Sequence, residues 1–183
     1  NRSIAILAKV RHYTINNLLK NIYYSIFISH LIYGCQVWVQ RITKLLRKVE
    51  KLQNKALRII NFQGPRTETS HLYSTNKILK FEDFVHFKNV NLIKNSLKSI
   101  GPPAFQNYFI RTVDLHHHNT RGAANDNLTV PVSNTKIHGV HSIKARSISS
   151  CNRLNNLTNF DFHNITASEL KNNLLRYILT TYN

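Results

Sequence analysis

The sequence predicts a mainly α-helical protein, in which a helical bundle is followed by a smaller tail of mixed α/β or irregular structure. Apolar residues recur at helical spacing as far as about Ser99. From Gln106 onward, short β-like runs and turn residues replace the long aliphatic side chains, as in NTRGAANDNLTVPVSNTKIHG. Hydrophobic residues make up 42% of the 183, which is enough for a real core. We expect three segments: a helical bundle over 1–63, a linker and a packing helix over 64–100, and a mixed tail with short strands and a C-terminal helix over 101–183.

The first segment contains three predicted helices. A short amphipathic helix covers residues 4–10. Thr14 is a candidate N-cap for a second helix over residues 15–33, which is apolar nearly all round and therefore central. Gly34 ends or bends that helix. The third helix lies within RITKLLRKVEKLQNKALRII, residues 41–60, and Gly-Pro at residues 64–65 stops it.

The later elements are less regular. A turn-rich linker, QGPRTETSHLYST, precedes a helix in which Phe84, Phe87, Ile93 and Leu97 fall at helical spacing, and Gly-Pro-Pro at residues 101–103 ends it. The stretch SIKARSISSCNRLNNL is ambiguous between helix and irregular structure. The stretch TASELKNNLLRYILTTYN predicts a closing helix that is capped near Thr166 or Ser168.

The charge of the chain indicates an anionic partner. Twenty-five Lys and Arg against eight Asp and Glu give a formal net charge of +17. A compact domain of that charge repels itself unless a polyanion is its usual neighbour. Nucleic acid, an acidic protein or anionic lipid would each serve, so charge alone names a class of partner.

Three other features of the sequence limit what kind of protein this is: its first residue, its two cysteines and one uncharged stretch. The chain has no Met and opens on Asn1, so we expect a fragment of a longer protein. Cys35 and Cys151 match no metal or redox spacing, which favours buried free thiols in a reducing compartment. The uncharged stretch 22–39 is just long enough to span a bilayer, but polar residues interrupt it, so a buried core helix is the favoured interpretation.

The third predicted helix carries a one-sided row of cations, here called the basic ridge. At roughly 100° per residue, the other members of the row lie within about 60° of Lys44, with the apolar residues opposite. The residues of the ridge that we expect to contact nucleic acid are Lys44, Arg47, Lys48, Lys51, Lys55 and Arg58. Arg41 widens the row at its start. Four apolar residues would dock the helix on the one containing Tyr23 and Phe27, namely Leu45, Val49, Leu52 and Ala56.

The ridge is unlike an ordinary solvated helix face. Such faces usually mix charge signs, whereas Lys44–Lys48, Arg47–Lys51 and Lys51–Lys55 are like-charged pairs four residues apart. Each pair costs about a few tenths of a kcal/mol unless an anion offsets it. Polyanion contact is the favoured interpretation. Plain solvation and a membrane-surface or calmodulin-type helix are the alternatives.

Several stretches, taken in order, resemble one family of proteins. LLKNIYYSIFISHLIYGCQVW, LRKVEKLQNKALRII and LYSTNKILKFEDF resemble the region after the polymerase core in non-LTR retrotransposon reverse transcriptases of the jockey-like and related LINE families. Tyr33, Gly34 and Trp38 match the first motif of that region, residues 52–60 the second and residues 72–83 the third. HNTRGA and HGVHSIKARSISSCNRL resemble the tail that follows. Cys151 stands where that tail usually has Trp, a departure that puts the packing of the tail in doubt.

The resemblance implies a role in holding nucleic acid. In that family the helical part is the thumb, which closes on the template–primer duplex and holds it against the palm. It therefore implies backbone contacts to RNA and RNA–DNA duplexes, and an upstream polymerase palm in the same parent chain as a second partner. It also implies RNA-directed DNA synthesis by the parent, in the nucleus or cytoplasm and not in a secreted form. We expect no membrane partner.

The chain itself offers no polymerase chemistry. Two-metal polymerisation needs a cluster of carboxylates holding Mg²⁺, and the neighbouring Glu82 and Asp83 would point about 100° apart on a helix. We therefore expect no catalytic residue, no resident cofactor and no metal site in this fragment, and Mg²⁺ only in the parent polymerase. Residues 116–118 are three adjacent His, which cannot all face one ion. A polar loop is the favoured interpretation of these residues, and weak adventitious binding of Zn²⁺ or Ni²⁺ is a lesser alternative. The adjoining Arg111 and Arg121 make phosphate contact the better functional hypothesis, and Arg121 completes the predicted nucleic-acid-binding set.

The function that the sequence predicts is non-catalytic binding of a template–primer. The competing hypothesis is a domesticated basic helical module whose ridge binds an acidic protein. Tyr23, Tyr24 and Trp38 could stack on bases, but at helical spacing in an apolar stretch they are expected in the core.

Overall fold

The computed structural model is mainly α-helical in the part of the chain that it describes, which is residues 2–39, 43–105, 107–115, 118, 120–135, 139–158, 166–180 and 182. A π-helical segment, Tyr23–Ile28, joins the second and third α-helices, and a 3-10 turn spans Pro103–Phe105. In chain order the α-helices are α1 (Arg2–Val10), α2 (Asn16–Ile22), α3 (Ser29–Ile32), α4 (Cys35–Trp38), α5 (Thr43–Ile60), α6 (Ser70–Asn76), α7 (Phe81–Leu97), α8 (Thr112–Leu115), α9 (Arg121–Ala124), α10 (Ile143–Thr158) and α11 (Ala167–Thr180).

The chain forms two compact units. Unit 1 comprises residues 1–85 and 173–183, and unit 2 comprises residues 86–172. The divisions fall inside α7 and α11, whereas the sequence placed the ends of its segments after residues 63 and 100. Contacts between residues far apart in the chain set the divisions, and the periodicity of a sequence does not report such contacts.

The core of unit 1 gathers side chains from α1, the helical run from α2 to α3, α5 and α6. Tyr23 and Tyr73 are among its largest fully buried side chains. Tyr182 joins the same cluster and meets Tyr73 edge-on, with ring centroids 5.7 Å apart. The Tyr182 hydroxyl donates to the Asp83 carboxylate and accepts from the Lys80 amide at 3.0 Å. The second stretch of unit 1 is thereby attached to the first.

The central helix of unit 1 runs from Asn16 to Ile32, with α2, the π-helical segment and α3 in succession. Leu19, Tyr23 and Phe27 are buried, as expected of a central helix. Gly34 has a φ of 61°, in the left-handed region that favours glycine, and the helix ends just before it. The prediction that Gly34 ends or bends the helix is confirmed.

The predicted cap of this helix is wrong. Ile15 occupies the N-cap position of α2 and makes no side-chain hydrogen bond there. The Thr14 hydroxyl instead donates to the Val10 carbonyl oxygen at 3.0 Å. Thr14 therefore adds a second hydrogen bond to a carbonyl at the end of α1 that also accepts from the Tyr13 amide at 3.0 Å, because a hydroxyl can serve either helix terminus.

A second apolar cluster of unit 1 surrounds the start of α7. Cys35, Val49 and Phe81 are among its buried members. The Trp38 indole stacks on the Phe81 ring, with centroids 5.6 Å apart and planes 13° from parallel. Trp38 is therefore a packing residue, as is Tyr23, whereas Tyr24 is 43% exposed.

The stretch predicted to be a turn-rich linker contains a helix. α6 buries Leu72 and Tyr73, and it ends at Asn76, where the following residue, Lys77, is a C-cap in the left-handed conformation with a φ of 54°. The predicted helix after it is found as α7, with Glu82 and Asp83 in its first turn, where carboxylates complement the helix dipole.

In unit 2, the described residues contain no β-strand, so the short strands expected in the tail are not found there. The β-like runs reduce to an isolated antiparallel bridge between Arg111 and Leu128. The ambiguous stretch forms α10. Its Asn152 side chain donates to the Leu128 carbonyl at 2.8 Å and accepts from the Leu128 amide at 2.9 Å. The Asn152 side chain thus makes the two hydrogen bonds with the Leu128 backbone that a neighbouring strand would otherwise make.

The closing helix begins as predicted. The Thr166 hydroxyl accepts from the Glu169 amide at 3.2 Å, and the Glu169 carboxylate accepts from the Thr166 amide at 2.8 Å. This reciprocal arrangement is a capping box, which satisfies amides at the helix start.

Among the described residues, no helix is long and apolar enough to cross a membrane. The stretch 22–39, which the sequence flagged as a possible span, is interrupted where the chain turns at Gly34.

Candidate nucleic-acid interface

The basic ridge lies on α5, with four exposed cations on one side of the helix and buried or half-buried apolar residues on the other. Val49 and Ala56 are 5% and 0% exposed. The ridge cations with described, exposed side chains are Arg47, Lys48, Lys51 and Lys55. The Lys44 side chain and all of Arg41 lie outside the described residues. The helix therefore separates charge from apolar surface in the way that the helical spacing predicts.

The exposed ridge cations make no ion pair within 4.0 Å with a described acid, although Arg47 lines a cavity together with Glu50 and Glu82. The ion pairs found among the described residues, within 4.0 Å, both involve Arg111, with Asp114 and Asp126 as its partners. Glu50, the acid of α5, is exposed and forms no ion pair with a described residue. Four exposed cations on one helix therefore keep their mutual repulsion, which an external anion would relieve.

Arg58 differs from the other ridge residues. It is half-buried, and its Nε donates to the Thr67 carbonyl oxygen at 2.8 Å. One guanidinium donor therefore holds the loop after α5 in place. Its remaining donors are the part of Arg58 that could serve the ridge.

The docking face of α5 is divided between two clusters. Leu52 and Ala56 pack in the cluster of Tyr23 and Phe27, as predicted, whereas Val49 packs in the cluster around Phe81. Leu45, the fourth docking residue, is half-buried.

Gln53 was not among the residues predicted from the sequence, and it is 0% exposed at the centre of the docking face. Its Nε2 donates to the Tyr23 hydroxyl at 2.9 Å and to the Leu79 carbonyl at 2.8 Å, and its Oε1 accepts from the Phe81 amide at 3.0 Å. The available signal was its position about 180° from Lys44, in the middle of the apolar side.

A cavity of about 410 Å³ opens beside the ridge. Residues of α5 form one wall, and the start of α7 with the residue before it forms the other. The lining residues are Leu46, Arg47, Glu50, Lys80, Phe81 and Glu82. Arg47 thus belongs both to the ridge and to the cavity.

The predicted tail site is only partly described. Arg121 is exposed at the first position of α9, where Thr120 caps the helix by accepting from the Ala123 amide at 3.3 Å. His118 is exposed, and residues 116 and 117 lie outside the described residues. Arg121 belongs to unit 2 and the ridge to unit 1.

Arg111, for which the sequence suggested phosphate contact, is paired with two carboxylates in the structure. Its Nε donates to the Asp114 carboxylate at 3.0 Å, and Asp126 lies 4.0 Å away. The hydrogen bond to Asp114 is the main cause that raises the pKa of Arg111. These carboxylates occupy the guanidinium that a phosphate would need.

The described residues contain no group of three or more His, Cys, Asp or Glu side chains placed to hold a metal ion. Glu82 and Asp83 were the neighbouring carboxylates considered in the sequence. The Asp83 carboxylate accepts a hydrogen bond from the Tyr182 hydroxyl, and Glu82 lines the cavity.

Fold and site together define a basic helical protein that presents a one-sided cationic helix. Comparison with known proteins adds no relative, since no family model, no curated protein sequence and no solved structure matches the chain.

Proposed function

We propose that the chain binds the sugar–phosphate backbone of an RNA or RNA–DNA template–primer without catalysing a reaction. The exposed cations of α5, which make no ion pair within 4.0 Å with a described acid, are the observation that carries this proposal. Phosphates neutralise such a row and release counterions, which makes binding favourable and dependent on salt. Contacts of this kind carry no sequence information, so the grip is not sequence-specific.

The resemblance to non-LTR retrotransposon reverse transcriptases supports the same role. In this proposal, the bundle over residues 1–63, which lies within unit 1, is the thumb-like part, and the rest of the chain is the region that follows it. The carboxylates and Mg²⁺ for RNA-directed DNA synthesis would come from the palm of the parent chain. The amphipathic construction of α5 supports the thumb assignment, because one face docks on the central helix while the other is left for a duplex.

The test is the affinity for an RNA–DNA duplex as a function of salt concentration. We expect the triple variant K48A/K51A/K55A to bind weakly and to have a flatter salt dependence. Losing three phosphate contacts lowers the slope of log K against log salt by about 2.7, at roughly 0.9 per contact. The matched control is R2A/K9A/R66A, which removes three exposed cations outside α5. Equal losses in the two triple variants would show that net charge, and not the ridge, drives binding.

A nuclease step distinguishes the nucleic-acid proposal from the competing hypothesis of an acidic protein partner. A pull-down with the chain as bait is treated with nuclease before washing. Partners bridged by RNA are lost after this treatment, whereas an acidic protein bound directly to the ridge stays. Retention of one such protein by the chain, and its loss in K48A/K51A/K55A, would replace the nucleic-acid proposal.

A further inference from the structure

We propose that the cavity between α5 and the start of α7 binds an unpaired guanine base of the nucleic acid whose backbone lies on the basic ridge. This inference rests on the proposed function, because the ridge supplies the strand that carries the base. The cavity adds what the ridge lacks, a place where base identity can be read.

The cavity has the size and construction of a binding site. Its volume of about 410 Å³ lies within the range of roughly 300–1,000 Å³ found for small-molecule sites. Phe81 is 3% exposed, its ring stacks on Trp38, and its backbone amide donates to Gln53 Oε1 at 3.0 Å. The wall from α7 is therefore fixed against α5 before any ligand arrives, which reduces the entropic cost of binding.

The charges of the cavity disfavour phosphate. Two carboxylates, Glu50 and Glu82, share the lining with two cations, Arg47 and Lys80. A chain with a net charge of +17 thus has here a site of no net charge. The carboxylates repel a phosphate, and as acceptor-only groups they favour a ligand that donates hydrogen bonds. The phosphates of a bound strand are better placed on the neighbouring Lys48 and Lys51.

The charged groups of the lining are not engaged with one another. Among the described residues, Arg47, Glu50 and Glu82 make no ion pair within 4.0 Å. Lys80 is occupied differently, because its ammonium lies 4.6 Å from the centroid of the Tyr182 ring. Two acceptors and one guanidinium donor are therefore left for a ligand.

Guanine is the base that matches this set. Its N1–H and N2–H donors lie side by side and can meet one carboxylate, while its O6 and N7 acceptors match an arginine guanidinium. Adenine, cytosine and uracil lack the pair of adjacent donors. Unpaired bases of RNA are commonly recognised in this way, through their edges and by apolar contact with their faces. Leu46 and Phe81 supply the apolar part of the lining.

The test uses RNA hairpins that differ only in one unpaired nucleotide, which is guanosine, inosine, adenosine, cytidine, uridine or an abasic residue. We expect the guanosine hairpin to bind about tenfold tighter than the others, as one bidentate contact allows. Inosine lacks the 2-amino group and is expected to lose most of this preference. E50Q and E82Q are expected to remove the preference while leaving the salt dependence intact.

The control is E68Q, which removes the same charge from an exposed residue outside the cavity. Removing any carboxylate strengthens phosphate binding slightly, so the ratio of affinities between hairpins is the quantity compared. A second measurement, NMR titration with free guanosine, is independent of the ridge and is expected to shift the Leu46 and Phe81 signals. Salt-dependent binding without base preference, together with no shift by guanosine, would overturn the cavity proposal and leave the ridge proposal standing. If the chain bound no RNA but guanosine still shifted the Leu46 and Phe81 signals, the ridge proposal would be overturned and the cavity would remain a guanine site.

Discussion

The side-chain Nε2 of Gln53 on α5 donates to the hydroxyl of Tyr23 on the central helix at 2.9 Å, with both side chains 0% exposed. The remaining polar capacity of Gln53 is used by the Leu79 carbonyl and the Phe81 amide. One amide therefore joins three parts of unit 1. A buried polar group is tolerated at this place because each of its hydrogen bonds is satisfied.

Changing Gln53 to Met should lower the free energy of unfolding by about 3 kcal/mol. Met fills similar space, but it leaves the Leu79 carbonyl and the Phe81 amide without their partner, and each unsatisfied buried group costs about 1–3 kcal/mol. Urea unfolding measures the change. Gln63 is exposed after α5, so Q63M should change stability by no more than about 0.5 kcal/mol. A similar small effect for both variants would mean that the Gln53 hydrogen bonds contribute little.

Changing Gly34 to Ala should cost about 1–2 kcal/mol, the price of a left-handed conformation for a residue with a Cβ. The space is open enough, since an added Cβ would lie 3.8 Å from the Trp38 ring, an ordinary contact. Backbone conformation alone is therefore the cause. Gly64 is the matched control, because its φ is not in the left-handed region and its Cβ would lie 3.6 Å from the Thr67 hydroxyl. Thermal melting of G34A and G64A should separate the two, and equal losses would contradict the conformational argument.

The capping box of α11 should make stability depend on pH in the acidic range. The Thr166 amide and hydroxyl donate to the Glu169 carboxylate and lower the pKa of Glu169, with smaller help from the charges of Lys94 and Lys98. A lowered folded-state pKa stabilises the fold above the unfolded value, about 4.3 for Glu, and this contribution is lost as pH falls through the folded value.

The measurement is the free energy of unfolding of the natural chain and of E169Q between neutral pH and pH of about 2. The difference between the two proteins should be full at neutral pH and should shrink as the carboxyl of the natural chain is protonated. A difference that stays constant over this range would show that the ionised carboxylate is not the form that caps the helix.

The two cysteines should react slowly with thiol reagents in the native state. Cys35 and Cys151 are 1% and 3% exposed, and burial raises the pKa of Cys151 to about 12. The thiolate is the reactive form, and it is scarce at a pH of about 8 when the pKa is so high. Alkylation at that pH should modify neither thiol in the folded chain and both in urea. Rapid native modification of Cys151 would place it at the surface.

Local signals in the sequence predicted several elements correctly. The Thr166 cap needs only the four residues from 166 to 169, and α5 needs only the spacing of its charges and aliphatic residues. Helix α6 was missed because its seven residues, SHLYSTN, carry weak helix signals. Burial of Leu72 and Tyr73 in a core assembled from distant parts of the chain stabilises it.

In the candidate site, too, local sequence signals predicted some features, whereas contacts between distant parts of the chain set the others. The exposure of Lys48, Lys51 and Lys55 follows from helical geometry, so spacing alone predicted it. The role of Gln53 and the cavity depend on how α7 meets α5, which no local pattern encodes. In unit 2, the residue types around Leu128 are strand-like, and the backbone of that segment still needs hydrogen-bond partners. Asn152 supplies them from a helix, and this asparagine leaves no periodic signal.

The π-helical segment Tyr23–Ile28 has a consequence for variation in length. Each of its turns holds about one residue more than an α-helical turn, as though a single residue had been inserted. A chain lacking one residue there could close the same helix with ordinary i to i−4 bonding and keep the residues before and after it in their present orientation. Single-residue deletion is therefore better tolerated in this stretch than in the regular helices beside it.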